Sequence, residues 1–200
     1  MGSPKIGIEE QFRRETSFSE HLGSGKVEGA GTVRTILRFP DPRLRANAEH
    51  VTVFDEGLRS LAAELRDTMR AAPGIGIAAP HIGVLKRLAV IELAAADGVR
   101  IYVNPSIVWT SANRIRHEEG SVSMPGVTEE IERHARVRLR YQNLSGVEQA
   151  EEADGLLSIC LQHEIDQLDG IFWIDRLSRL KRDRIVKRFE KMHRAKASSG

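Results

Sequence analysis

The residues best equipped for chemistry are His163, Glu164 and Gln167, in the run His163-Glu164-Ile165-Asp166-Gln167. On a helix, positions i and i+4 share a face, so His163 and Gln167 project together with Glu164 beside them. That is the frame of H-E-x-x-H, in which two histidines hold a zinc-like ion and the glutamate is general base on its bound water. Here glutamine occupies the second histidine position. Two glycine-bearing stretches could bring backbone close to a ligand. One is Gly74-Ile75-Gly76-Ile77-Ala78-Ala79-Pro80-His81-Ile82, and the other is Glu119-Gly120-Ser121-Val122-Ser123-Met124-Pro125.

The elements that must position these groups follow from spacing. Asp154 is the expected N-cap of a central helix that stops at Gly170. Leu156, Leu157, Cys160, Leu161, Glu164 and Leu168 recur along it at helical spacing, which buries more than one side. Glu164 thus falls among apolar positions, where an unpaired carboxylate is costly and calls for a metal-bound water, a proton or a basic side chain. Cys160 reads as a buried structural thiol. Asp55 caps an amphipathic helix carrying Leu58, Leu61, Leu65 and Met69 and ending near Pro73. Strands are expected at residues 35–39, 87–93, 101–104, 107–110 and 136–141. In the last, Val137, Leu139 and Tyr141 face inward and three arginines face water.

Residues 118–126 read as an irregular loop, 143–146 as a turn, and a final helix from Ser178 uses Leu180, Ile185, Phe189 and Met192. The run from Gly74 to Ala79 matches G-x-G-x-x-A superficially, but a dinucleotide site needs a strand before it and a helix after it. The expected order here is helix, loop, strand, which sets that reading aside. His21, His50, His117, His134 and His193 lie outside the motifs and read as solvated.

Two hundred residues with 40% apolar content suit one domain with a sizeable core. Thirty basic against 28 acidic residues give a net charge of +2, which argues against a nucleic-acid or membrane surface. A single cysteine fits a reducing compartment, and no apolar run approaches the ~20 residues that span a bilayer. The expectation is a cytoplasmic protein with a flexible extension over residues 1–31, a domain over 32–196 and a flexible tail over 197–200.

Taken in order, the two glycine-bearing stretches and His163-Glu164-Ile165-Asp166-Gln167-Leu168-Asp169-Gly170 resemble the peptide deformylases. Members of that family carry G-x-G-[LI]-A-A-x-Q-[IV], E-G-C-L-S-x-P and H-E-x-D-H-x-x-G. The resemblance spans about residues 33 to 195 and implies an α+β fold, with small mixed β-sheets around a central helix bearing His163-Glu164, plus a C-terminal helix. It implies a divalent metal (iron, zinc or nickel) held by the motif cysteine and two histidines, and a Glu-activated water that removes the formyl group from N-formyl-methionyl peptides. It also implies oxyanion stabilisation by the motif Gln and by a backbone N–H, and substrate pairing as an added strand along Gly74, Ile75, Gly76 and Ile77.

Carried over by position, His163 and Glu164 match unchanged. Ser121 stands at the ligand Cys, Gln167 at the second ligand His, His81 at the oxyanion Gln, and Val122 at the residue supplying the backbone N–H. A neutral hydroxyl and an amide oxygen are weak partners for a transition metal. The expectation is therefore a deformylase homologue of impaired or lost activity, in protein maturation if active. The alternatives are a non-catalytic peptide- or partner-binding protein, a rebuilt amide hydrolase using His81 and His163, and metal-free catalysis by Ser121 with a histidine base. The expected partner is an N-formylated or other short peptide, with no nucleic acid and no membrane; ribosome association stays open.

Overall fold

The computed structural model describes residues 31–197. The expectations for residues 1–30 and 198–200 lie outside the described residues.

Helix α1 (Glu56–Ala71) forms where the sequence repeats leucine every three to four positions, and Asp55 caps it by accepting a hydrogen bond from the Leu58 N–H. Leu58, Leu61, Leu65 and Met69 are buried as the spacing requires. Each such side chain contributes about 1.5–3 kcal/mol relative to an exposed one. Asp55→Ala is expected to cost about 1 kcal/mol, read as a lower urea midpoint with an unchanged slope.

Five strands make an antiparallel sheet in the order β1-β2-β3-β6-β7: β1 (Gly76–Ala78), β2 (Leu88–Ile91), β3 (Arg100–Thr110), β6 (Arg136–Gln142) and β7 (Glu148–Asp154). A separate hairpin pairs β4 (Arg114–Ser121) with β5 (Met124–His134). Among the described residues all named strand pairs are antiparallel and only the isolated bridge from Glu49 to Lys86 is parallel, so the α+β class stands, with antiparallel rather than mixed sheets. Alternate residues of β2 point to opposite faces: Leu88 and Val90 join α1 in one core, while Ile91 joins Cys160 and Leu161 of the central helix α2 (Gly155–Leu168) in another. The four-residue strand is accordingly buried throughout. A third cluster seats α3 (Arg179–Ala197) on β5 through Ile185, Phe189, Val127 and Ile131.

Several expectations change. Residues 35–39 form no strand; the segment is extended but bridges two elements, with the Leu37 N–H donating to the His81 carbonyl and the Phe39 N–H to that of Ser123. The strands expected at 101–104 and 107–110 are one bulged strand, because register shifts around Asn104 and Pro105 absorb the proline. Asn104 takes a positive φ of 52° and ties the bulge to the Val51 backbone. The loop expected at 118–126 is the tip of the β4–β5 hairpin. Strand β7 was not expected from its acid- and alanine-rich sequence; Arg138 of β6 holds it by an ion pair to Glu152 at 2.8 Å. In α3, Leu180 is exposed rather than packed. His134 is built into the fold, its Nδ1 lying 2.7 Å from the Ser111 carbonyl. No helix among the described residues is long and apolar enough to cross a membrane.

Candidate functional site

Three elements converge on one cleft of about 360 Å³. The turn into β1 supplies Gly74, Ile75 and Gly76, the hairpin tip supplies Glu119, Ser121 and Val122, and α2 supplies Cys160, His163 and Glu164, with His81 at the end of the 3-10 turn Ala79–Ile82. Among the described residues β1 is an edge strand, paired only with β2. The order α1, β1, 3-10 turn, β2 lacks the strand, glycine loop and helix of a dinucleotide site.

Two of the expected site residues are not among those lining the cleft. The Ile77 side chain is fully buried in the core beneath α1, while its backbone lies in β1, where the expected pairing would fall. Gln167 is 1% exposed and is not among the residues lining the cleft; its Nε2 donates to the Leu44 carbonyl at 2.7 Å. That bond takes up the amide N–H against the 3-10 turn Pro42–Arg45 and leaves the neutral Oε1 as the one atom Gln167 could offer an ion.

His81 is buried with its Nδ1 against the Ala78 backbone, 3.0 Å from the N–H and 3.1 Å from the carbonyl. Its Nε2 lies 3.5 Å from Ser121 Oγ, which accepts from the Ser123 N–H at 3.2 Å. Burial first, and then the nearby His163, push the His81 imidazole down to about 3. Such a group is neutral and a weak base, which counts against Ser121 as an activated nucleophile. Val122 packs at the edge of the core under α1, and its carbonyl accepts from Arg38 at 2.7 Å.

His163 Nδ1 lies 2.9 Å from Glu119 Oε2. Arg133 meets the same carboxylate with two bonds, Nε to Oε1 at 2.7 Å and Nη2 to Oε2 at 2.9 Å. It also reaches Asp166, which in turn takes Arg176. Burial alone would raise the Glu119 carboxyl, but Arg133 and His163 hold it down at about 2. Burial would lower the His163 imidazole, yet the Glu119 hydrogen bond and the charges of Glu164 and Glu119 raise it overall. Glu164 is supported only by the charges of His163 and Arg133, which burial outweighs. It is 4% exposed, its Oε2 has no partner among the described residues, and burial pushes its carboxyl up to about 7. A Cβ placed on Gly76 would stand 2.6 Å from Glu164 Oε1, so this carboxylate lies against the start of β1. Burial also drives the Cys160 thiol up to about 12, which fits the inert structural thiol. His117, read as solvated, is exposed at the rim.

Arg133 and its partners were not singled out in the sequence. The signal was parity: on β5, Val127, Ile131 and Arg133 fall on the inward face, but only once β5 is recognised as a strand.

A helix that delivers adjacent His and Glu side chains to a cleft bordered by an edge strand defines the class, an α+β hydrolase scaffold. The sequence profile described as polypeptide deformylase matches residues 33–183. A peptide deformylase-like protein of Brucella melitensis is 69% identical over 163 residues, which are 82% of this chain and 99% of that protein. A peptide deformylase of Phenylobacterium zucineum is 45% identical over 166 residues, 82% of this chain and 98% of its own. The crystal structure of a peptide deformylase from Legionella pneumophila superposes with a TM-score of 0.78 at 39% identity, covering 83% of this chain and 98% of that one. The chain belongs to the polypeptide deformylase family, whose members are metal-dependent.

The residues present do not fit the family's metal. Of the three ligand positions His163 alone carries a strong donor, Ser121 is a hydroxyl bonded to the Ser123 N–H, and Gln167 faces Leu44. Among the described residues no three His, Cys, Asp or Glu side chains form a metal-binding group.

Proposed function

We propose that this protein binds short peptides in the deformylase cleft without carrying out metal-dependent deformylation, and that it does so in the cytoplasm. The observation that carries this is the donor set: Ser121 offers a hydroxyl, and Gln167, with its Nε2 given to the Leu44 carbonyl, keeps only a neutral amide oxygen. With a hydroxyl at residue 121 as well, two ligands are lost, and transition-metal affinity depends steeply on their number. The peptide lies along the free edge of β1, where Gly74, Ile75 and Gly76 offer backbone to an added strand. Val122 narrows the opposite wall: a Cβ on Gly74 would come within 3.0 Å of its Cγ1. His163, held by Glu119, and Glu164 form the polar inner end. A hydrolase rebuilt on His81 and His163 finds little support, since His81 Nε2 approaches Ser121.

Tag-free protein incubated with zinc, iron or nickel is expected to retain under about a tenth of an equivalent of metal after desalting. The same preparations are expected to release no formate from formyl-Met-Ala-Ser. Stoichiometric metal together with formate release that Glu164→Ala abolishes would overturn the reading.

A further inference from the structure

The hairpin that forms one wall of the cleft is backed on its outer side by α3. At its tip Ser121, Val122, Met124, Pro125 and Gly126 line the cleft. Two kinds of contact tie this hairpin to the helix. At Glu129, Lys181 Nζ and Arg184 Nη2 each pair with the carboxylate at 3.0 Å. Ile185 and Phe189 share a buried cluster with Met124, Val127 and Ile131 of β5, and Met192 packs against that cluster. Nearest the tip the contact is a thioether: a Cβ placed on Gly126 would stand 2.7 Å from Met192 Cε and 3.9 Å from its Sδ. Gly126 has a φ of 84°, so the backbone there admits the methionine methyl where a side chain of its own would not fit.

We infer that Met192 is a positioning residue for the cleft and that its oxidation loosens the hairpin wall; for the ligand, this rests on the peptide-binding reading above. Among the described methionines Met69 and Met124 are fully buried, whereas Met192 is partly exposed. Hydrogen peroxide therefore meets its sulfur first. In that step the peroxide O–O bond breaks, one oxygen bonds to Sδ and the other leaves as water, so the sulfur is oxidised and the peroxide reduced. A polar, chiral sulfoxide replaces a flexible apolar group, and a seat of Ile, Phe and Val side chains offers it no hydrogen bond. Met192 then turns to water and leaves Gly126, while the ion pairs at Glu129 still hold the strand three residues on. The tip carries Val122, whose Cγ1 stands across from Gly74, so its release widens the cleft along the edge of β1. A thiol-dependent sulfoxide reductase reverses the change: two thiols become a disulfide and the oxygen leaves as water.

The test compares untreated protein with protein exposed to hydrogen peroxide and then desalted, the site of oxidation being mapped by mass spectrometry of peptides. The expected result is one added oxygen at Met192, with amide hydrogen exchange over residues 121–127 faster by about fivefold and that of β7 unchanged. Affinity for formyl-Met-Ala-Ser, read by calorimetry, is expected to fall by about fivefold, the effect of losing one modest packing contact. Reductase with dithiothreitol restores both. Met192→Leu keeps an apolar side chain of similar volume on the seat and is expected to be indifferent to peroxide, which assigns the effect to this sulfur and not to Met1 or the buried Cys160. Met192→Gln, polar and of similar length, is expected to behave without peroxide as the oxidised protein does. Unchanged exchange at the tip or unchanged affinity after oxidation of Met192 overturns the inference, as does an equal loss in peroxide-treated Met192→Leu, or no oxygen at Met192. If the untreated protein binds no peptide, the function proposed above fails, and the exchange rates alone decide whether Met192 holds the hairpin tip.

Discussion

Arg133→Leu is expected to lower folding stability by about 3–5 kcal/mol at pH 7, the usual cost of removing one member of a buried ion network. The guanidinium is 4% exposed and is bound by both Glu119 oxygens and by Asp166. Its loss strands Glu119 in the interior with only His163 as a partner, while Asp166 keeps Arg176 nearer the surface. The pH dependence has a defined sign. The Glu119 carboxyl sits at about 2, below its ordinary value of 4.5. A depressed carboxyl contributes stability that is present above the unfolded value and is lost as pH falls through the folded one, so the window runs from about 4.5 down to about 2. Without Arg133 the folded value moves up, and acid unfolding should begin at a higher pH than in the parent protein. Urea titrations at pH 7 and acid titrations followed by circular dichroism measure both effects. A loss under about 1 kcal/mol would mean that hydrophobic packing of the introduced leucine offsets the stranded charge.

What the sequence made legible, and what it hid, separates along physical lines. Helix α1 was readable because its leucines form one stripe, and β6 because Val137 and Leu139 alternate with arginines. In both, one face is wet and one dry, which is the condition for a period to show. The cleft was readable in outline because three short motifs carry it, and the structure brings His81, Ser121, His163 and Glu164 to its lining. Strand β7 was hidden because its alternation is of alanine and acid, and its order comes from pairing with β6 along its whole length, with Ala150 and Ala153 buried. The β4–β5 hairpin was hidden by the Gly and Pro at its tip, and Arg133 was hidden with it, since strand parity cannot be read where no strand is seen. Gln167 was placed on the correct helix, but which group its amide N–H meets, here the Leu44 carbonyl, is a tertiary matter that helical spacing cannot decide.

The inner end of the cleft is held from behind. The network of Glu119, Arg133, Asp166 and Arg176 backs His163 with ion pairs supplied by the protein itself. Ser121 and Gln167 each find a hydrogen bond within the protein. Among the described carboxylates of the cleft, Glu164 is the one left with a buried, unpartnered oxygen.

Glu164→Gln is therefore expected to stabilise the protein, by about 3 kcal/mol at pH 8 and by nearly nothing at pH 4.5. Burial lifts the carboxyl to about 7 from its ordinary 4.5, against the opposing pull of His163. Between these values the folded protein holds a proton that the unfolded chain releases, so stability falls as pH rises from 4.5 to 7 and the deficit is complete above 7. Glutamine cannot ionise and should flatten that slope. Urea midpoints at the two pH values, taken for parent and variant, give the difference directly. A variant less stable than the parent at pH 8 would show that the carboxylate is already partnered and gains from its charge. Stabilisation by a change at a functional position is the pattern of a residue kept for binding at the expense of folding. A ligand that binds only the folded parent should close the gap, because its binding free energy adds to stability by mass action.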